Sequence, residues 1–176
     1  MIHRRATQVG SPLIRAKAKR VVNPTGAANR KVVKDLIDSM HHHGLVGMAA
    51  PQIGKSLRIF VTEPRDTKVR KVRGPKAQGP CVFINPCIVT SSKAQSTGWE
   101  GCGSVADKGL FAQVRRPTSV TVEAYDTEGK KFTLRAKGLL ARIIGHEMDH
   151  LNGIVFTDKA DRTTYTSREE YLKIRK

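Results

Sequence analysis

The chain has 176 residues, of which 32 are Lys or Arg and 15 Asp or Glu, for a formal net charge of +17. Hydrophobic residues make up 39%, enough for a buried core, and the length suits one catalytic-size domain spanning residues 1–176. No apolar run approaches the ~20 residues of a membrane span. The opening MIHRRATQVGSPLIRAKAKR carries no apolar stretch behind its basic residues, so it does not read as a secretory signal and a cytoplasmic protein is expected.

In chain order, VVKDLIDSM puts Val32, Val33, Leu36, Ile37 and Met40 on one helical stripe, which Gly44 can end in a left-handed conformation. The histidines His41, His42 and His43 at that end are expected to be solvated, able to take up stray nickel and little else. In LVGMAAPQ (45–52), the AAPQ run by itself reads as close packing at Ala49 and Ala50, a rigid turn at Pro51 and a loop cap at Gln52. SLRIFVTE (56–63) reads as a strand, and residues 64–80, rich in Pro, Gly and cations, as an exposed loop. CVFINPCIV (81–89) is strand-like but interrupted by Pro86; there Cys81 and Cys87 read as small buried hydrophobes. WEGCGSV sets the third cysteine, Cys102, between glycines, where backbone can approach closely. Three cysteines, an odd number, argue for reduced thiols over a disulfide framework. TSVTVEAYDTEGKKFTLRA (118–136) is a hairpin turned by DTEG, followed by a helix over 138–151 that Gly153 stops. Ser167 and Glu170 have capping-box spacing, so a short C-terminal helix begins there. Helices at the two ends with strands between predict an α+β fold.

The helix over 138–151 carries the chemistry. Leu140, Ile143, Ile144 and Leu151 form its apolar stripe; Glu147 falls in the same stripe, and His146 and His150 lie beside it. Residues four apart share a helix face, so the two imidazoles of HEMDH can converge. Burying two imidazoles and a carboxylate without partners would cost several kcal/mol. A metal ion removes that objection, taking a neutral nitrogen from each histidine and leaving Glu147 to handle a proton. A catalytic site needs a third protein ligand; Cys102 is one candidate, and spacing alone leaves Glu100 and Asp149 open.

Three segments in order, LVGMAAPQ (45–52), EGCGS (100–104) and HEMDH (146–150), together resemble the signatures of peptide deformylase, a metallohydrolase that removes the N-formyl group from nascent bacterial and organellar proteins. INP at 84–86 and GSPLIRAKAKRV near the start agree, so the resemblance covers nearly the whole chain. It implies an α+β fold with antiparallel strands around a central HExxH helix. It implies a metal held by Cys102, His146 and His150, with Glu147 as acid and base. Gln52 and the backbone N–H of Gly103 would bind the oxyanion, and Val46, Gly47 and Gly101 would line the substrate path and offer backbone hydrogen bonds. The implied substrates are N-formylmethionyl nascent peptides, and the implied metal is Fe²⁺ in the cell. Zn²⁺, Ni²⁺ or Co²⁺ also suit a Cys-His-His set in purified protein.

The chain departs from the family pattern at Leu45 (usually Gly), Gly103 (usually Leu) and Gly145 (often Gln). Gly103 still supplies a backbone donor, but is expected to enlarge the space beside the metal. Gly145 costs the helix roughly 1 kcal/mol relative to Ala. The positive charge fits docking on rRNA at the ribosomal tunnel exit through the basic loop 65–76 (Arg65, Lys68, Arg70, Lys71, Arg73, Lys76) and the tail residues Lys173, Arg175 and Lys176, with the chain as a monomer. Two other readings compete: an HExxH metallopeptidase, and a ribosome-binding paralogue that keeps a closed structural metal without catalysis. The thiolate offered by EGCGS speaks against the first.

Overall fold

The computed structural model describes residues 4–67 and 79–174. Of the basic loop, Lys68, Arg70, Lys71, Arg73 and Lys76 lie outside the described residues, as do Arg175 and Lys176 of the tail. Among the described residues four helices, α1 (Pro12–Arg15), α2 (Ala27–His42), α3 (Gly138–Leu151) and α4 (Arg168–Ile174), flank or enter two antiparallel sheets. The larger sheet has the order β1-β2-β3-β6-β7, built from Gly47–Ala49, Ile59–Thr62, Cys81–Ser91, Ser119–Tyr125 and Lys131–Lys137. The smaller has the order β4-β5-β8, from Gln95–Gly101, Leu110–Pro117 and Thr166–Ser167. The architecture is the expected α+β.

The apolar stripe of α2 does what its spacing predicts. Val32, Val33, Leu36 and Met40 are buried against Met48 of β1 and Ile59 and Val61 of β2, and Gly44 follows at φ +65°. The clearest hairpin, β6–β7, pairs in register from Ser119↔Lys137 to Tyr125↔Lys131, and buries Val120, Val122 and Ala136 against Ile144 and Leu151 of α3. The stacked rings of Phe60 and Phe83, 4.5 Å between centroids, join β2 and β3 in the same cluster. Thus α3 lies against the inner face of the larger sheet and also meets β5 of the smaller one. Gly153 ends it at φ +74°, and Ser167 Oγ accepts from the Glu170 N–H at 3.3 Å, as the capping spacing implies.

Two expectations need correcting. Pro86 does not interrupt the third strand: β3 runs on to Ser91 through a register shift between Ile84 and Cys87, with Asn85 at φ +52°. The Asn85 side chain bonds both the N–H and the carbonyl of Val21 at 2.8 Å, which fixes the bulge. The irregularity also turns Cys87 out to solvent, and Cys81 is half-buried, so neither is the buried hydrophobe expected. Elements without a sequence reading are α1, β1 and the whole β4–β5–β8 sheet.

Candidate active site

The HEMDH segment sits where α3 is buried between the sheets. Glu147 is 3% exposed and His150 fully buried. Cys102 immediately follows β4, and its sulfur lies 3.2 Å from His150 Nε2. The ligand-capable atoms of Cys102, His146 and His150 all fall within 4.8 Å of one another. On zinc, with bonds of about 2.0–2.3 Å, neighbouring ligand atoms sit roughly 3.5 Å apart, so a small inward adjustment suits a cation. Two further observations fit a bound group. Glu147 Oε2, beside the cluster, is a buried side-chain atom without a partner among the described residues. The donor set is one thiol and two imidazoles, with His146 fixed by a 3.0 Å contact from Nδ1 to Glu100 Oε2, which leaves Nε2 for the cluster.

Charge organises the cluster. Burial alone would push the Cys102 thiol up, but His150 and His146 outweigh it and hold it well below the ordinary value. Burial would push His146 down, but its hydrogen bonds to Cys102 and Glu100 raise it well above the ordinary value. Without metal, then, thiolate and imidazolium stabilise each other; a cation takes the place of the proton. Burial dominates at Glu147 and pushes its carboxyl up to about 7, a value suited to moving protons near neutrality.

Glu100 and Asp149, left open as third ligands by spacing, are engaged elsewhere. Arg116, 4% exposed, donates to both oxygens of Glu100 at 2.6 and 2.8 Å and to Asp149 Oδ2 at 2.8 Å. Arg142 adds a 2.8 Å bond to Glu100, and Lys159 a 2.5 Å bond to Asp149. Burial would raise the Glu100 carboxyl, yet Arg116 and His146 hold it well below the usual carboxylate range. Neither arginine was identified from sequence. Both act through contacts across strands whose pairing the sequence did not reveal.

Gln52 is 2% exposed and has two roles. Its Oε1 accepts from the Ala49 N–H at 2.8 Å, the loop cap expected of it, while its Nε2 points to Cys102 Sγ at 3.5 Å and Ser104 Oγ at 3.3 Å. The backbone N–H of Gly103 makes no bond to a described residue. A pocket of about 460 Å³ lies over the cluster, lined by Leu45, Val46, Gly47, Gln52, Gly101 and Gly103 among others. It is bordered by β1 and β4, each the edge strand of its sheet, so each offers free backbone groups. Gly47 is required where it stands: a Cβ there would come within 2.5 Å of Glu147 Oε1.

The space expected beside Gly103 is not open. A Cβ on Gly103 would meet Leu45 Cδ1 at 3.2 Å and Ala6 Cβ at 3.6 Å, so the leucine side chain fills the place a larger residue at 103 would take. The His41–His43 run is solvated as expected, with His41 and His42 exposed and His43 partly so. The His41 ring pairs with Glu63 and a ring nitrogen of His43 with the Arg4 carbonyl.

Residues 4–165 match the sequence profile of the family described as Polypeptide deformylase. The chain is 40% identical over 163 residues to a peptide deformylase of Desulforudis audaxviator, covering 93% of this chain and 96% of that one. Among solved structures it is similar to a class I type b peptide deformylase of Acinetobacter baumannii bound to Met-Ala-Ser, with TM-score 0.84 and 29% identity over 90% of this chain and 98% of that one. It is also similar to the Thermotoga maritima peptide deformylase, with TM-score 0.79 and 30% identity over 92% and 99% of the two chains.

Proposed function

The chain belongs to the polypeptide deformylase family, and from that premise we propose that it is a metal-dependent hydrolase that removes the formyl group from the N-terminal formylmethionine of nascent polypeptides, releasing formate. The observation that carries this reading is the meeting of Cys102, His146 and His150 beside the buried, high-pKa carboxyl of Glu147.

Cys102, His146 and His150 hold the metal. When bound, it supplies Lewis-acid polarisation and a water acidified toward neutral pH. Glu147, packed against the Gly47 backbone at the pocket floor, accepts the proton of the attacking water and returns a proton to the leaving amine. The Gln52 amide and the Gly103 N–H donate to the oxygen that gains charge when the formyl carbon becomes tetrahedral. Val46 and Gly47 on one edge and Gly101 on the other bind the peptide backbone as an added strand, which aims the formyl group at the cluster. Glu100, held by Arg116 and Arg142, keeps His146 in the required tautomer.

The metal in the cell is Fe²⁺, with Zn²⁺, Ni²⁺ and Co²⁺ as substitutes that the thiolate–imidazole set also accepts. The protein works as a single-domain monomer in the cytoplasm; among the described residues no helix is long and apolar enough to cross a membrane. Its excess of +17 supports docking on ribosomal phosphates. Of the cations named for docking, the structure describes Arg65, tied to Glu63 and the Leu45 carbonyl, and Lys173, exposed on α4 and paired with Glu170. Ribosome co-sedimentation should weaken steeply with salt; retention insensitive to salt would remove the docking claim. The primary test is formate release from formyl-Met-Ala-Ser by iron- or cobalt-loaded protein. A metallopeptidase would cut internal bonds instead, and a closed structural site would do neither.

A further inference from the structure

Beside the active-site pocket runs a second groove of about 1070 Å³, sharing Leu45, Val46 and Gly101 with the first. The two therefore share a rim, and a peptide bound along the edges of β1 and β4 that leaves on this side would enter the groove. Its wall carries two cations, Lys108 and Arg168, beside His41, His42 and His43. Neither Lys108 nor Arg168 has a carboxylate partner among the described residues, whereas Glu63 nearby already pairs with His41 and Arg65.

The two cations are placed, not merely present. Lys108 closes a left-handed turn in which Ala106, Asp107 and Lys108 have φ of +47°, +45° and +69°, a conformation that residues with a Cβ adopt rarely and almost never in succession. The Asp107 N–H donates to Gln8 Oε1 at 3.2 Å, and Lys108 Nζ reaches the His43 carbonyl at 3.4 Å, which sets the ammonium at the groove wall. Arg168 is fixed to the same segment. Its N–H donates to the Gly109 carbonyl at 3.0 Å, Leu110 pairs with Ser167, and Tyr171 one turn on stacks on Phe111 with ring centroids 4.1 Å apart. A strained turn held by these contacts is a costly way to display one lysine unless its position matters.

We propose that this groove is an anion-preferring subsite for the peptide beyond formylmethionine, so that nascent chains with Asp or Glu at their third and fourth residues are deformylated in preference to those with Lys or Arg there. The inference rests on the deformylase reading. An extended chain advances about 3.3 Å per residue, so the residues that follow the second enter the groove that Lys108 and Arg168 line.

The test compares kcat/KM for formyl-Met-Ala-Asp-Asp, formyl-Met-Ala-Ser-Ser and formyl-Met-Ala-Lys-Lys amides on the metal-loaded protein. Partly exposed ion pairs act modestly and additively, so the Asp-Asp peptide should exceed the Lys-Lys peptide about tenfold at low salt, with the ratio collapsing toward one as salt is raised. Lys108→Glu/Arg168→Glu should reverse the ratio and Lys108→Met/Arg168→Met should flatten it. Reading the ratio within each variant cancels any general loss of activity. A wild-type ratio near one, or a ratio unmoved by salt or by charge reversal, overturns the subsite while leaving deformylation intact. Absence of formate from all three peptides, Ser-Ser included, overturns the deformylase reading itself.

Discussion

Arg116 is the residue on which the catalytic helix and the Cys102 loop depend together. It is almost fully buried, with three bonds of 2.6–2.8 Å to Glu100 and Asp149. Arg116→Met keeps much of the volume and removes the charge. Both carboxylates keep one cation, Arg142 at 2.8 Å and Lys159 at 2.5 Å, so the loss belongs at the low end for a broken buried pair, about 3 kcal/mol. For a chain of this size that corresponds to a fall in Tm of roughly 6–12 °C. The loss should depend on pH with a definite sign. Glu100 is held below its ordinary value in the folded state, so its contribution is complete above the unfolded carboxylate pKa of 4.5 and is lost as pH falls through the folded value. The gap between wild type and variant should therefore be full at pH 7 and narrow in acid. Because Glu100 also orients His146, a chelator competition should show metal affinity lower by roughly 10–100-fold. Differential scanning calorimetry across pH, paired with that competition, is the assay. A variant that melts with the wild type at pH 7 and holds metal equally well would refute the network as a support of the site.

Other consequences can be checked in the same preparations. Gln52→Ala should lower kcat by about 10²–10³ with metal content unchanged, from formate-release kinetics and elemental analysis; loss of metal in parallel would make Gln52 a structural cap only. In chelator-treated protein, Glu147 favours its neutral form up to about pH 7, so the folded state binds more protons than the unfolded and stability falls as pH rises from 4.5 through 7. Glu147→Gln removes that dependence, and denaturant unfolding should show the variant gaining on wild type by about 3 kcal/mol between acid and mildly alkaline pH; an equal gap at both ends would contradict the raised carboxyl. Gly103→Leu should cost about 1–3 kcal/mol by crowding Leu45, and Leu45→Gly in the same chain should recover much of it. Strictly additive losses would show that the two positions are not compensating.

How much was legible in the sequence depended on the range of each interaction. HEMDH could be read because helical spacing is local: residues four apart must share a face, and the apolar flanks required that face to be inward. The β6–β7 hairpin could be read for the same reason, since alternation and a DTEG turn sit within one short stretch. Pro86 misled because the bulge that absorbs it is secured by Val21, far away in sequence, and that bulge is also what exposes Cys87. The β4–β5 pair escaped because Ser96, Arg115 and Arg116 interrupt any apolar alternation; Arg116 points inward for a reason visible only once Glu100 and Asp149 are beside it. Leu45 and Gly103 read singly as two departures from a pattern. Only the 3.2 Å approach shows that they border one volume.

The central claim is that one sulfur and two imidazole nitrogens share a single cation and leave a position for solvent. X-ray absorption at the zinc edge of zinc-loaded protein reads this directly. The account predicts one sulfur at about 2.3 Å, two imidazole nitrogens at about 2.0–2.1 Å and one further light atom, with the sulfur shell absent in Cys102→Ser. A spectrum with no sulfur shell in the wild type, or with a fourth protein side chain closing the coordination, would contradict it.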